Sequence, residues 1–246
     1  MTTVPYDGRL SVVVPVRNEA ENIEPLVSEI VAALASLGAY EIVYVDDGSD
    51  DATPAELARL RDRIPALRFV RHARSCGQST AIATGVRHAR YPWIATLDGD
   101  GQNDPADIPA LLERLAAART QDNLQMLAGW RAQRRDAWLR RLSSRVANGV
   151  RGRLLRDGTP DTGCGLKVFS REAFLRLPHF DHMHRFLPAL IQRGGGGVES
   201  VIVRHRPRMR GSSKYGLFDR LWVGIVDLAG VGWLMARSRR PEVIDG

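Results

Sequence analysis

The sequence predicts an α/β fold, a mainly parallel sheet with helices on both faces. Three observations carry that expectation. Apolar, β-branched runs recur at residues 10–16, 41–45, 67–70 and 93–97, without the alternation of a strand that has one wet face. Helical patterns fill the intervals between them. Three of the runs stop at polar clusters, Arg17-Asn18-Glu19, Asp46-Asp47-Gly48 and Asp98-Gly99-Asp100. In parallel sheets the carboxyl ends of the strands are where ligands bind, so these clusters should share one rim.

Taken in order, the first strand gives way to a helix that Asn18 is placed to cap, with apolar residues at Ile23, Leu26, Val27, Ile30, Val31 and Leu34. Thr53-Pro54-Ala55-Glu56 has the form of a cap, a first-turn proline and a capping-box acid. Residues 77–89 form the next helix, and the strand at 93–97 runs into LDGDGQNDP. A helix from Pro105 to about Arg119 follows, then a strand at 124–128. Residues 134–156 are arginine-rich and helical in pattern; 159–165 is a loop and 166–169 a strand. A helix at 183–193, a glycine turn at 194–197 and a strand at 198–205 lead to a polar loop. Residues 217–235 are helical, with Phe218, Leu221, Trp222, Ile225 and Leu228 along one face.

Size and charge bound the rest. At 246 residues the chain can bury one substantial core. Residues 130–246 hold 23 Lys/Arg against 10 Asp/Glu, whereas residues 1–129 hold 12 against 18. An acidic front and a basic back suggest a metal in front and an anionic ligand or membrane surface behind. Nucleic acid is not the expected partner, because no basic-aromatic interleaving or recognised module accompanies the charge. Cys76 and Cys164 are far apart and fit a reducing compartment better than a disulfide scaffold. The longest nearly apolar stretch, residues 221–235, contains Asp227 and is shorter than the roughly 20 residues of a spanning helix.

Asp98 and Asp100 are two apart, so in an extended segment both would face one side and could share Mg²⁺ or Mn²⁺, with Gln102 in the same parity. An acidic turn capping the helix at Pro105 is the plainer alternative, and the other two polar strand ends argue against it. His182-Met183-His184 is expected to be a loop at the head of a helix, placed to flank an acceptor.

VVVPVRNEAENI, VYVDDGSDDAT, GQSTAIATG, LDGDGQNDP, DTGCGLKVFSRE and RMRGSSKYG stand in the order and spacing of family 2 glycosyltransferases. They resemble the dolichol- or undecaprenyl-phosphate sugar transferase branch, over about residues 9–216. The resemblance implies a GT-A fold at 1–216; by its own pattern 217–246 is expected to be an amphipathic helix and basic tail, either membrane-interfacial or packed on the protein's own core. It implies inverting transfer from a UDP- or GDP-sugar to a polyprenyl phosphate at the cytoplasmic membrane face. Pro15, Asn18, Glu19, Asp46, Asp47 and Gly77 would bind the nucleotide-sugar, and Asp98, Asp100 and Gln102 the metal and diphosphate. Arg208, Ser213 and Lys214, in an RxxGxSK pattern, would close over the phosphates, and Arg131 and Arg145 would receive the lipid phosphate together with Arg208.

A phosphate monoester is already anionic, so the nucleophile needs positioning by arginines rather than a carboxylate base. Gly101 stands where many relatives carry leucine, and Ser75 where an asparagine is usual. Relatives in the bacterial branch carry two C-terminal transmembrane helices; here Phe218, Leu221, Trp222 and Trp233 precede Arg237, Arg239 and Arg240, a pattern suited to an anionic leaflet or an integral membrane partner. The rival expectations are a soluble or glycan acceptor, and a catalytically silent nucleotide-sugar-binding scaffold.

Overall fold

The computed structural model describes residues 6–118, 123–132, 152, 154, 155, 157–207 and 217–237, and of residues 217–223 the backbone alone. The strands are β1 (Arg9–Val16), β2 (Ala39–Asp46), β3 (Leu67–Arg71), β4 (Trp93–Thr96), β5 (Leu124–Trp130), β6 (Lys167–Ser170) and β7 (Gly197–Ile202). They form one sheet in the order β3-β2-β1-β4-β6-β5-β7. Neighbours pair in parallel except around β6, which runs antiparallel to β4 and to β5. The helices are α1 (Ala20–Ala33), α2 (Thr53–Arg61), α3 (Gln78–His88), α4 (Ile108–Ala116), α5 (Arg171–Leu175), α6 (Leu187–Arg193) and α7 (Leu217–Ala236).

The period-2 geometry of each strand divides the core in two. On one face Leu10, Val12, Val14 and Val16 of β1 and Ile42 and Tyr44 of β2 pack with Ile23, Leu26, Leu57, Ile108 and Leu111 from α1, α2 and α4. On the other, Val13, Val43, Ile94, Met126 and Phe169 pack with Ile82, Val86, Phe174, Leu190 and Val231 from α3, α5, α6 and α7. Strands apolar on both sides are thus buried on both sides, the reason their sequences do not alternate.

The chain winds outward from β1 through β2 to β3, then crosses back to β4 on the other side of β1. Strand order reverses between β1 and β4, and the crevice beyond the carboxyl ends of such a pair is a binding position. Val16 stands level with Asp46, and Val13 with Thr96, so the three polar strand ends do meet on one rim.

Several local expectations are corrected. Asn18 does not cap α1; it takes a left-handed φ of 55° and its side chain bonds to Asp50 across the rim, while Glu19 occupies the cap position but its side chain makes no capping bond. Thr53 is the first residue of α2 rather than its cap, and its hydroxyl accepts from Glu19 N–H at 2.9 Å; Glu56 pairs with Arg59 instead of reaching back. Both caps were sacrificed to tie two loops together. Pro105 opens a 3-10 turn, Pro105–Asp107, before α4, whose end at Ala116 falls short of Arg119. Residues 183–185 form a separate 3-10 turn ahead of α6, and β7 ends at Ile202. The expected helix at 134–156 lies largely outside the described residues.

α7 packs on the domain through Val231, with His182 Nδ1 3.0 Å from Asp227 Oδ2 and Arg193 Nε donating to Leu234 O. It leaves Ile225, Val226 and Trp233 exposed. No helix among the described residues is long and apolar enough to cross a membrane.

α3 crosses β1 and β2 so closely that a Cβ on Gly85 would lie 2.4 Å from a Val13 methyl and 3.1 Å from a Val45 methyl. Gly85→Ala is therefore expected to destabilise the fold by about 1–3 kcal/mol, since overpacking displaces the helix from the sheet. Urea unfolding would measure the loss, and an unchanged midpoint would show that α3 can lift off without strain.

Candidate active site

The rim is organised by two carboxylates that do opposite things. Asp47, at the end of β2, is 5% exposed and fully engaged. Its Oδ1 accepts from His72 Nδ1 at 2.7 Å and Cys76 N–H at 2.8 Å, and its Oδ2 from Ser75 Oγ at 2.8 Å and Gly77 N–H at 2.9 Å. Two bonds to each oxygen leave little acceptor capacity. Asp47 thus holds the loop between β3 and α3 in place. Burial alone would raise its carboxyl, but the His72, Cys76, Ser75 and Gly77 bonds win and hold it below the usual carboxylate range.

Asp98 follows β4 and is held by a different set. Gln78 Nε2, in the first turn of α3, donates to its Oδ1 at 2.9 Å, and its own N–H donates to Asn103 Oδ1 at 3.0 Å. The segment is not extended: it turns at residues 99–101, Gly101 has φ 72°, and Gln102 N–H donates to Asp100 Oδ1 at 3.1 Å. Same-side placement by strand parity is therefore corrected; a turn, rather than alternation, brings the two acids together. Gly99 is required here because a Cβ would lie 2.4 Å from a Val16 methyl and 3.1 Å from the Pro15 carbonyl.

From the other side comes the 157–166 loop. A Cβ on Gly165 would sit 2.2 Å from Asp98 Oδ2 and 2.6 Å from Asn103 Oδ1, so the backbone lies directly on the acid. Thr96 Oγ1 fixes that approach by donating to Gly165 O at 2.8 Å. Lys167 is 4% exposed and donates to Cys164 O, and Arg131 forms a two-pronged pair with Asp161 at 2.7 and 2.9 Å. Burial pushes the Asp98 carboxyl above the ordinary range, and the Asp100 charge pushes the same way; Lys167, Arg131 and the Gln78 amide oppose them. Burial correspondingly drives the Lys167 ammonium down, against the pull of Cys164, Asp98 and Asp161. Arg131 stays firmly charged, since Asp161 outweighs its burial.

The remaining residues singled out in the sequence fall as follows. Pro15 is buried, and Asp46 is wholly buried, accepting from Ser49 N–H at 2.9 Å with Arg71 Nε at 3.0 Å. Asn18 and Glu19 line the rim, Glu19 accepting from Asn22 at 2.6 Å. Gly77 starts α3 with φ 87°, a conformation that favours glycine. Arg145, Arg208, Ser213 and Lys214 lie outside the described residues. His182 and His184 are joints: His182 meets Asp227 of α7, and His184 Nδ1 lies 2.7 Å from Ser79 Oγ, with burial and then Lys167 lowering its pKa to about 3.

Asp47, His72 and Cys76 also bring ligand atoms within 4.8 Å of one another. Hydrogen bonds already account for that cluster, because both His72 nitrogens are occupied, by Asp47 and by Thr84 Oγ1 at 3.0 Å. Asp98 and Asp100 fit a divalent cation better: two hard-oxygen donors in one turn, mutually repelling and partly desolvated.

Residues 11–177 match the family model described as glycosyl transferase family 2. The chain belongs to that family. Among curated relatives, it is 38% identical over 237 residues to dodecaprenyl-phosphate galacturonate synthase of Rhizobium johnstonii, covering 94% of this chain and 69% of the relative. It is 36% identical over 211 residues to undecaprenyl-phosphate 4-deoxy-4-formamido-L-arabinose transferase of Edwardsiella ictaluri, covering 85% and 63%. These relatives support the polyprenyl-phosphate sugar transferase branch, and the chain spans about two thirds of their length. In solved structures the fold resembles glucosyl-3-phosphoglycerate synthase of Mycobacterium tuberculosis in complex with Mn²⁺, UDP and glucosyl-3-phosphoglycerate, with TM-score 0.69, 18% identity, and 95% and 81% of the two chains covered. It also resembles a mannosyltransferase of Pyrobaculum calidifontis in complex with GDP-Man and Mn²⁺, with TM-score 0.62, 20% identity, and 97% and 68% covered. The fold of this family 2 glycosyltransferase is accordingly GT-A.

In this glycosyltransferase the residues missed from sequence are Gln78, Asn103, Asp161, Gly165 and Lys167. All five stand inside motifs already conspicuous, GQST, GQNDP and DTGCGLK; only their contacts reveal what they do, Gln78, Asn103 and Gly165 around Asp98, Asp161 on Arg131 and Lys167 on the Cys164 carbonyl.

Asp47 offers a pH test. Its folded carboxyl lies below the unfolded value of about 3.9, so its stabilising contribution is present above that pH and is lost as pH falls through the folded value. Wild type should therefore exceed Asp47→Asn in urea stability by a constant margin at neutral pH, shrinking below about pH 4. A margin independent of pH would mean that the charge is not what organises the loop.

Proposed function

We propose that this protein transfers a sugar, with inversion, from a UDP- or GDP-sugar to a polyprenyl phosphate at the cytoplasmic face of a membrane. The observation that carries this reading is the Asp98–Asp100 turn at the strand-order reversal, two half-buried acids side by side under the Gly165 backbone. The polyprenyl-phosphate names of the relatives point to the acceptor class, and the Mn²⁺–nucleotide complexes of the fold neighbours to the donor class.

In this reading Asp98 and Asp100 hold Mg²⁺ or Mn²⁺, with Gln102 beside them. The ion would neutralise charge on the departing diphosphate. Gln78 and Asn103 fix the Asp98 carboxylate and main chain before substrate arrives, so no reorganisation is needed during reaction. The loop held by Asp47 and the rim at Asn18 and Glu19 form the walls for base and ribose. Arg131, oriented by Asp161, would receive the acceptor phosphate, with Arg145, Arg208 and Lys214 supplying further positive charge and Ser213 a hydroxyl donor. The acceptor oxygen is anionic at neutral pH, so no acid in the site needs to act as general base. The exposed Ile225, Val226 and Trp233 of α7, with Arg237 above the Trp233 ring at 5.7 Å, suit an interfacial position.

The test is incubation with a panel of UDP- and GDP-sugars, Mg²⁺ or Mn²⁺, and undecaprenyl phosphate. Radiolabel should enter the organic phase, disappear with EDTA, and fall roughly 100-fold or more in Asp100→Asn. Label confined to water-soluble glycan would replace the lipid acceptor, and donor binding without any transfer would leave a scaffold.

Gly165→Ala tests the site without turnover. The added Cβ would force the Asp98 carboxylate aside, and Mn²⁺ affinity should fall about 10–100-fold. Electron paramagnetic resonance of free Mn²⁺ would measure it; undiminished affinity would move the ion away from Asp98.

A further inference from the structure

The third acid of LDGDGQNDP, Asp104, is buried with its side chain 5% exposed, yet it takes no part in the turn formed by Asp98 and Asp100. It accepts from Ala106 N–H at 3.0 Å, receives Arg206 Nη2 at 2.6 Å on one oxygen, and has Arg204 Nη1 at 3.2 Å from the other. The two arginines come from the segment after β7, a hundred residues downstream, and they make further bonds around this acid. Arg204 N–H and Nε donate to Asp107 at 2.7 and 2.8 Å, and Arg206 Nη1 donates to Glu29 of α1 at 2.8 Å. The main chains join as well: Arg206 N–H donates to Gln102 O at 3.1 Å, and Asn103 bridges to His205.

We propose that Asp104, with Arg204 and Arg206, is a clasp that makes the Asp98–Asn103 turn and the 203–206 segment one mechanical unit, and that Asp104 and Arg206 are positioning residues for the donor. The proposal rests on the nucleotide-sugar reading for its second half. Single exposed ion pairs contribute little. This one differs because the shared carboxylate is buried, carries two guanidinium groups, and is flanked by a main-chain bridge on Gln102 and Asn103. Those two residues are the ones that shape the acidic turn: Gln102 N–H bonds Asp100, and Asn103 Oδ1 bonds Asp98 N–H. Displacing the 203–206 segment therefore pulls on both acids of the turn through backbone, not through solvent. In sequence Arg208, the first residue of the RxxGxSK pattern, stands two residues after Arg206.

Hydrogen exchange and kinetics on Asp104→Asn, Arg206→Gln, the double variant, and the swapped Asp104→Arg/Arg206→Asp pair test the idea. In either single variant the amides of Asp98 and Gln102, not only those of 203–206, should exchange about tenfold faster. Donor KM should rise about tenfold with a smaller change in kcat, the double variant should be no worse than the worse single, and the swap should recover part of the loss. Exchange confined to 203–206 overturns the clasp. Faster exchange at 98–103 with unchanged KM and kcat overturns the positioning role, and additive effects in the double variant overturn the pairing. If wild type binds and turns over no nucleotide-sugar, the functional reading fails while the exchange data still decide the clasp.

Discussion

The structure turns on a half-buried carboxylate, Asp98, placed beside a second one. Leaving water is costly for a charged acid, and the adjacent Asp100 adds to the cost rather than offsetting it. The surroundings answer with fixed groups: the Gln78 amide, the Asn103 side chain on the main-chain N–H, and the more distant charges of Lys167 and Arg131. Gly165 completes the enclosure by bringing backbone to within a distance that no side chain could share. Two neighbouring carboxylates whose charges oppose each other are the kind of donor pair a hard cation favours.

That constraint explains why the other polar strand ends are knitted so tightly. Gln78 reaches Asp98 only if the start of α3 is fixed, and the start of α3 is fixed by Asp47 through Gly77 N–H. The β1 and β2 loops are cross-tied in turn by Asn18–Asp50, Asn18 N–H to Ser49, and Glu19 N–H to Thr53. Helix capping at α1 and α2 gives way to these ties. A local propensity worth about 1 kcal/mol yields to a rim that must be rigid.

The sheet, its two-faced burial and the meeting of three strand ends were legible because they follow from periodicity and from which residues stop each run. The antiparallel placement of β6 was not, because a buried strand reads alike in either direction. Within the site, residue type announced the acids but not their tasks. Asp47 and Asp98 both end apolar strands and both precede glycine, yet among the described residues one carboxylate takes four protein donors and the other is met by the Gln78 amide. That distinction depends on what lies opposite in space: a loop of backbone N–H groups in one case, a glycine from residue 165 in the other. The DGDGQNDP string likewise divides its labour, with Asn103 and Asp104 supporting the turn from which Asp98 and Asp100 project.

Charge follows the same logic. The sequence reads as an acidic front half and a basic back half, suggesting separate partners for each. Among the described residues, several arginines of the basic half are engaged with the front half. Arg204 and Arg206 bond Asp104, Asp107 and Glu29, and Arg171 donates to the Val86 and Arg87 carbonyls. Arg131 is oriented by Asp161. The asymmetry is therefore first a means of joining the halves around the rim. What surplus it leaves for an anionic partner is concentrated, in sequence, at residues 134–156, 208–214 and 237–240. An acceptor bearing a single phosphate on a long apolar chain matches that distribution better than a polyanion does, since a polyanion would call for an uninterrupted basic face rather than arginines already spent on holding the fold closed.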